Sequence, residues 1–309
     1  MLFNKNGKGS EELYGISGIF QASTDYRSIA AEIDSATAEV AAIVGSAVME
    51  SAEEIYDKEA PTDGEKALLA AVRLPVAYLA IGMYSKLAGV SHGDTGRKMK
   101  VGDDEKIPFE WMIDRDDREL RERYYRALDA LIRHLEATEN ESWKNSDTRS
   151  SAADCLVGDL TAVERVYPIE HSYYMFYRLL PIFLEIQQTK LRKVVGDENY
   201  AKLLQKDASV ADILPQAMRF IVLRALIVAV QRWSIDSFPL SIARRFSPSY
   251  QGNRERRAAT TEEIDWYVSK LELQAQDAAL ELQAAGGTDP YENLDLIPEN
   301  DPRKKYFTV

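Results

Sequence analysis

The sequence predicts an all-α protein built from two tandem helical bundles, and three observations support this prediction. Apolar residues recur at steps of three and four along most of the chain, which is the spacing of one helix face. Two windows of sequence repeat weakly at one gap-free offset of 151 residues, the distance from Gly45 to Gly196. The composition, with 45% hydrophobic and 28% charged residues, is that of a packed globular chain, and 309 residues suffice for two domains of about 150 residues each.

Three main helices are predicted in the first bundle. The first carries an apolar stripe formed by Ile29, Ile33, Ala36, Val40 and Ile43. The second begins at a capping box of Thr62 and Glu65 and continues into the apolar run from Leu68. Pro75 lies inside this helix and is expected to kink or break it. The third helix carries the stripe Leu120, Tyr124, Leu128, Leu131 and Leu135.

The second bundle follows the same order. Its first stripe consists of Phe176, Leu179, Leu180, Phe183 and Leu184, followed by Leu191 and Val194. Its middle helix contains the apolar run from Phe220. Its last helix begins at a capping box of Thr260 and Glu263 and carries the stripe Ile264, Val268, Leu271, Ala275, Ala278 and Leu282. These stripes are expected to form the two cores.

The segments between the middle and last helices differ in the two bundles. In the first, RKMKV and EKIPF alternate around Gly102-Asp103, which predicts a short β-hairpin. In the second, SPSYQGNRERRAATT predicts a loop.

A duplication explains the repeated order of elements. At the common offset, Asp25-Tyr26-Arg27 corresponds to Phe176-Tyr177-Arg178, and Val72-Arg73-Leu74 corresponds to Leu223-Arg224-Ala225. The alternative is that any two amphipathic helices can be aligned this well. We therefore predict a first unit at residues 1–145, a second unit at 146–285 and an extended C-terminal arm at 286–309.

The predicted arm begins where Gly286-Gly287 ends the last helix, and Pro290, Pro298 and Pro302 follow. One interpretation is a disordered terminus. The other is an arm that docks on a neighbouring subunit. Its docking residues would be Tyr291, Leu294, Ile297, Tyr306, Phe307 and Val309.

The familiar motifs of catalysis and metal binding are missing from the sequence. The three histidines, His92, His134 and His171, lack the spacing of a zinc site. There is no glycine-rich phosphate loop and no nucleophile elbow. The acidic cluster Asp114, Asp116 and Asp117 lacks the glycine turn of a calcium loop, and Cys155 is expected to be a buried structural thiol. We therefore predict no catalytic, cofactor-binding or metal-binding residue.

Charge restricts the class of partner. A net charge of -12 argues against nucleic-acid binding over the whole chain. Two basic clusters nevertheless fall at matching places in the two units: Arg97, Lys98 and Lys100, and Arg254, Arg256 and Arg257. They are either solvated loops or contacts to an acidic partner or DNA phosphate. The two longest apolar runs each contain a central arginine, Arg73 or Arg224, and are not expected to span a membrane.

The repeated segments EIDSATAEVAAIVG and LEIQQTKLRKVVG, each followed by a second long helix, resemble the head–tail connector adaptors of tailed bacteriophages. The block FEWMIDRDDRELRERYYRALDALIRHLE and the segment between the units look like the tandem-duplicated version found in phages and prophages of Bacteroides-type hosts. The likeness extends over nearly all of the chain before the arm. The family pattern has one bundle per chain, whereas this sequence predicts two.

The resemblance implies a structural role without catalysis or cofactor. It implies a homo-oligomeric ring of twelve copies in the virion neck, assembled in the bacterial cytoplasm, that binds the portal and the tail or a further neck protein. Double-stranded DNA would pass through the ring, and no membrane would be involved. Two alternatives remain open: a cytoplasmic helical-repeat scaffold or regulatory interaction module, and a hydrolase or metal enzyme whose acidic residues converge only in the fold.

Overall fold

Helices supply nearly all the regular structure, and the predicted all-α fold class is confirmed. The computed structural model describes residues 2–88, 90–93, 96–99, 109–233 and 260–286. The chain divides into two units, Met1–Ser150 and Ser151–Val309, a division close to the predicted boundary after residue 145. Apart from Gly286, the predicted arm lies outside the described residues.

The first unit is organised around one long helix, α4. Its helices are α1 (Gly9–Ser17), α2 (Ala30–Val44), α3 (Ser46–Asp57), α4 (Asp63–Ala88), α5 (Glu110–Ala137), α6 (Glu141–Lys144) and α7 (Asp147–Ser150). Short 3-10 turns cover Lys5–Gly7 and Tyr26–Ser28. Helix α4 packs against α1, α2, α3 and α5, so it lies at the centre of the unit.

The beginning of α4 is fixed by its predicted capping box. The Thr62 N–H donates to Glu65 Oε2 at 2.8 Å, and the Glu65 N–H donates to Thr62 Oγ1 at 3.3 Å. Of the kink or break predicted at Pro75, the break does not occur, because α4 continues through Pro75 as one helix, and the kink remains a prediction. Pro75 is buried among the helices that surround α4, and we attribute the continuity of α4 to this packing, which offsets the loss of one backbone hydrogen bond.

A two-stranded antiparallel ladder lies between α4 and α5, at a different register from the predicted hairpin. Strand β1 (Val90–Gly93) pairs with β2 (Gly96–Met99), so that Val90 faces Met99 and Gly93 faces Gly96. Residues predicted to form the first strand therefore belong to the second one. Two glycines bracket the two-residue connection, a turn signal that the prediction overlooked. Gly102-Asp103 and the segment EKIPF, except Phe109, lie outside the described residues.

The second unit has a central helix as well. Its helices are α8 (Leu160–Glu164), α9 (Tyr173–Ile186), α10 (Arg192–Leu204), α11 (Leu214–Arg232) and α12 (Thr261–Gly286). A π-helical turn at Gln187–Leu191 joins α9 to α10, and 3-10 turns cover Ser151–Asp154 and Ala208–Val210. Helix α11 packs against α8, α9 and α12. The predicted capping box of α12 is present at 3.0 and 3.3 Å, and α12 ends at Gly286 as predicted.

Several corresponding elements of the two units lie 151 residues apart. Helix α1 begins at Gly9 and α8 at Leu160, while α5 begins at Glu110 and α12 at Thr261. The buried faces of α5 and α12 also correspond, as in the pairs Leu120 and Leu271, Ala127 and Ala278, and Leu131 and Leu282. The central helices α4 and α11 begin 151 residues apart as well, at Asp63 and Leu214, whereas α2 and α9 begin at Ala30 and Tyr173 and do not keep this spacing.

Both central helices are long and apolar enough to cross a membrane by length and composition alone. More than a third of the most apolar stretch of each, in α4 and in α11, is buried within the structure. The core helix of a helical bundle has this same composition.

Candidate interaction surface

One end of the first unit exposes a cluster of large apolar side chains, which we call the apolar tip. Its members lie at the end of α4 and the beginning of α5: Leu87, Phe109, Trp111, Met112 and Ile113. Their exposed fractions range from 44% for Met112 to 69% for Phe109. Soluble monomers rarely leave apolar side chains clustered in this way, and such clusters usually mark a binding surface.

The antiparallel packing of α4 and α5 brings the two parts of the tip to the same end of the unit. A Cβ atom on Gly82 would lie 3.9 Å from Leu120 Cβ. Four residues earlier in α4, the ring of Tyr78 lies 5.9 Å from the guanidinium of Arg123, which is later in α5. Because the two helices are antiparallel, residues that follow Gly82 in α4 lie beside residues that precede Leu120 in α5. Leu87 therefore lies alongside the first turns of α5.

The first turn of α5 is apolar on several sides. Successive residues of an α-helix are about 100° apart around its axis, so Trp111, Met112 and Ile113 project in different directions. A single neighbouring helix cannot cover all three. The N-cap residue Phe109 also makes no side-chain capping hydrogen bond, whereas Thr260 caps α12. The beginning of α5 is therefore an exposed apolar end.

The corresponding positions in the second unit show that the fold does not require this tip. At the offset of 151 residues, Thr260, Glu262, Glu263 and Ile264 replace Phe109, Trp111, Met112 and Ile113. Three of these four replacements are polar. The part of the tip at the beginning of α5 therefore has no equivalent at the described beginning of α12, while the position that corresponds to Leu87 lies outside the described residues.

The second unit has a different exposed apolar surface, which we call the α12 stripe. It consists of Trp266, Leu273 and Leu280, which are 63%, 56% and 45% exposed. A spacing of seven residues is close to two helical turns, so the three side chains lie in one row along α12. The corresponding residues of the first unit are Arg115, Glu122 and Asp129. Each unit thus exposes apolar side chains where the other has polar ones.

The predicted site residues lie almost entirely outside the described residues. Arg97 and Lys98 belong to β2, where they face His92 and Ser91 across the ladder. Ten others fall outside: Lys100, Arg254, Arg256, Arg257 and all six docking residues of the arm, Tyr291, Leu294, Ile297, Tyr306, Phe307 and Val309. The contacts predicted for both basic clusters and for the arm remain predictions.

A polar cluster fastens the N-terminal segment to the core of the first unit. The Glu12 carboxylate pairs with the guanidinium of Arg73 and accepts a hydrogen bond from the Tyr56 hydroxyl at 2.9 Å. Burial, together with this carboxylate, raises the pKa of Tyr56 to about 12. The Lys5 N–H donates to Tyr56 Oη at 2.6 Å, and the Arg73 guanidinium lies 4.7 Å from the Phe3 ring centre. Apart from Arg73 Nε, which is buried without a hydrogen-bond partner among the described residues, these polar groups pair with one another, which indicates a structural role.

An open polar groove of about 330 Å³ lies beside this segment, lined by residues that include Lys8, Ser10, Asp25, Tyr26 and Arg27. Asp25 pairs with Arg27 at 2.7 Å, and Lys8 with Glu11 at 3.8 Å. The charged side chains that line the groove are therefore largely neutralised by ion pairs within the unit.

The expected burial of Cys155 is confirmed, and burial raises the pKa of its thiol to about 11. The neighbouring Leu156 N–H donates to Gln187 Oε1 at 2.7 Å, and Gln187 Nε2 donates to the Asp154 carbonyl at 3.0 Å. In the part of the chain that the structure describes, no group of three His, Cys, Asp or Glu residues is placed to hold a metal ion.

The apolar tip could have been suspected from the sequence, because FEWMI places apolar residues at consecutive positions outside the buried stripe that begins at Leu120. The α12 stripe gives a similar signal, since Trp266, Leu273 and Leu280 fall between the positions of the predicted core stripe. Whether such residues are covered by a neighbour is not encoded in their spacing.

Comparison with known proteins gives one match. The model of a family of unknown function, DUF6712, matches residues 40–153, which begin within α2 and include α3, α4, α5 and the whole apolar tip. No curated protein and no solved structure matches the chain.

Proposed function

We propose that this protein is a structural virion protein, a head–tail connector that forms a ring of twelve copies in the neck of a tailed bacteriophage. The ring would lie between the portal and the tail or the next neck protein. The role requires neither catalysis nor a cofactor. The protein would assemble in the bacterial cytoplasm and remain in the virion, without contact with a membrane.

The observation that carries the proposal is the presence of two different apolar surfaces on one chain. A connector must contact neighbouring copies of itself and also the proteins above and below the ring. The apolar tip and the α12 stripe provide two such surfaces, on different units. Trp111 corresponds to Glu262 in the second unit, and Leu273 corresponds to Glu122 in the first, so the two surfaces are not copies of each other.

This difference between the units suits a ring. A closed ring forms when one surface of a subunit meets a different surface of its neighbour. Two identical units would each offer the same contacts. Because the two units differ at their exposed positions, the chain offers two distinguishable surfaces, which would make a head-to-tail contact between copies specific.

The charge of the chain also supports the proposal. A net charge of -12 would allow DNA to pass a ring of these chains without being retained on its wall. The basic clusters around Arg97 and Arg254 would then be local contacts to DNA phosphate or to an acidic partner.

The experiment is to measure the mass of the purified chain in solution across a range of concentrations and to image it by electron microscopy. We expect closed rings, and we expect Trp111→Glu or Leu273→Glu to abolish either ring closure or binding to portal-bearing particles. The control is Glu262→Gln, at the position equivalent to Trp111, which should leave both unchanged. A strictly monomeric chain that does not bind such particles would contradict the proposal. A monomer that instead captured a cytoplasmic protein through these surfaces would favour the helical-repeat scaffold.

A further inference from the structure

The surroundings of the apolar tip restrict what can bind there. The first two turns of α5 carry the acidic residues Glu110, Asp114, Asp116 and Asp117, against one basic residue, Arg115; the exposed Arg118 follows in α5, and the exposed Lys86 precedes Leu87 in α4. In the described chain, none of Asp114, Asp116 and Asp117 forms an ion pair within 4.0 Å. An occupant of the tip therefore needs apolar side chains next to positive charge.

The C-terminal segment of this chain has that chemistry. Residues 302–309 read PRKKYFTV, in which Arg303, Lys304 and Lys305 directly precede Tyr306 and Phe307. The three basic residues complement the acidic first turns of α5, and the two aromatic rings suit a surface made of Trp111, Met112 and Phe109. The segment therefore offers both the positive charge and the aromatic rings that would complement the tip.

The length of chain before this segment is sufficient for it to reach another molecule. Helix α12 ends at Gly286, and residues 287–302 separate it from the basic residues. At about 3.3 Å per residue, an extended chain of this length spans about 50 Å. This exceeds the length of α12 itself, which is about 40 Å for 26 residues.

We infer that residues 302–309 of one copy dock on the apolar tip of a neighbouring copy. The inference rests on the proposed function for the identity of the neighbour, since a ring places the second unit of one copy beside the first unit of the next. Tyr306 and Phe307 pack on the apolar side chains, while Lys304 and Lys305 pair with the carboxylates of α5. A tethered segment of this kind adds to the stability of a ring without needing high affinity as a free peptide.

Site-specific photo-cross-linking in the full chain tests this inference. Trp111→p-benzoyl-phenylalanine places a photoreactive ring in the tip, and a mixture of ¹⁴N- and ¹⁵N-labelled chains distinguishes cross-links between copies from cross-links within one. We expect cross-linked peptides that join position 111 to residues 302–309 and carry mixed labels. The double variant Lys304→Glu, Lys305→Glu should reduce their yield at least tenfold. The reciprocal variant Phe307→p-benzoyl-phenylalanine should capture the first turns of α5.

The matched control is Trp266→p-benzoyl-phenylalanine, because Trp266 is an exposed tryptophan of the second unit. Equal capture of residues 302–309 from position 266 would overturn the inference, as would capture confined to a single copy or no capture from position 111. Electron microscopy of the same samples separates the two proposals. Rings without these cross-links would overturn the docking and leave the ring standing, whereas cross-links between copies without rings would support the docking and overturn the ring.

Discussion

Arg73 of α4 forms an ion pair with Glu12 of α1, with only 14% and 20% of the two side chains exposed. The residue that corresponds to Arg73 in the second unit is Arg224, and Val163 corresponds to Glu12. Arg224 has no carboxylate within 4.0 Å among the described residues, and burial lowers the pKa of its guanidinium. Among the described residues, Arg73 therefore has a direct acidic partner, whereas the charge of Glu272 only partly opposes the effect of burial on the pKa of Arg224.

Glu12→Ala should destabilise the first unit by about 2 to 3 kcal/mol, because it leaves the charge of Arg73 largely buried without a partner. This corresponds to a fall of about 4 to 10 °C in the midpoint of thermal unfolding of a unit of this size. Differential scanning calorimetry measures the shift.

The control for this change is Glu11→Ala, since Glu11 pairs with Lys8 at an exposed position and should contribute less than about 0.5 kcal/mol. The double variant Glu12→Leu, Arg73→Met should recover much of the loss, because it removes both buried charges. Equal effects of Glu11→Ala and Glu12→Ala would show that the ion pair does not stabilise the unit.

Gly45→Ala and Gly196→Ala should both destabilise the protein, by about 1 to 3 kcal/mol each, because both glycines adopt a backbone conformation that side chains disfavour. Gly45 has φ 92° and ψ 145°, and Gly196 has φ 77° and ψ 162°. The effect should be larger at Gly45, where an added Cβ would lie 3.2 Å from Ser146 Cβ, whereas nothing lies within 4 Å at Gly196. Chemical denaturation measures both changes.

Gly15→Ala is the control with the opposite expected sign. Gly15 lies inside α1, has an ordinary helical φ, and has nothing within 4 Å of an added Cβ. Alanine should therefore stabilise α1 by up to about 1 kcal/mol. Stabilisation at Gly45 or Gly196 as well would contradict the assigned backbone conformations.

Gln187→Leu should destabilise the second unit by about 2 to 4 kcal/mol. Gln187 is 2% exposed and bonds both the Leu156 N–H and the Asp154 carbonyl, so leucine would leave two backbone groups without their partner. Gln188→Leu, at the exposed neighbouring position in the same π-helical turn, is the control and should change stability little. Thermal unfolding of both variants measures the difference, and indistinguishable midpoints would reject the role of Gln187.

The capping box of α4 should lose its contribution in acid. Hydrogen bonds from Lys58 and from Thr62 lower the pKa of Glu65 to about 2. Because the pKa is lower in the folded state than in the unfolded chain, where it is about 4.3, the stabilisation is present above the unfolded value and is lost as the pH falls toward 2. The difference in unfolding midpoint between the natural protein and Glu65→Gln should therefore be larger at pH 6 than at pH 2.5.

The same pair of measurements on Glu59→Gln serves as the control, because Glu59 is exposed and makes no ion pair within the described chain. Glu59→Gln should shift the unfolding midpoint little at pH 6, because it removes no ion pair within the described chain. A Glu65→Gln difference that stayed constant with pH would show that the carboxylate charge does not support the cap.

The elements of this fold were largely predictable, and the candidate surface was only partly so. The capping boxes at Thr62 and Thr260 and the end of α12 at Gly286 follow from local hydrogen-bonding chemistry and appear as predicted. The position of the ladder did not follow, because a glycine on each side of a two-residue turn competed with the predicted turn at Gly102-Asp103. The sequence also contained the apolar residues of the tip, but not their exposure.

The sequence by itself determined where the main helices lie and that the last helices of the two units begin 151 residues apart, because periodicity, caps and glycines act over a few residues. Only the tertiary structure decided that α4 continues through Pro75, that Arg73 meets an acidic residue 61 positions away, and that Trp111 and Trp266 stay exposed. Each of these outcomes depends on which helices pack together. Burial and pairing between distant residues are properties of that packing and are not contained in any single segment of the chain.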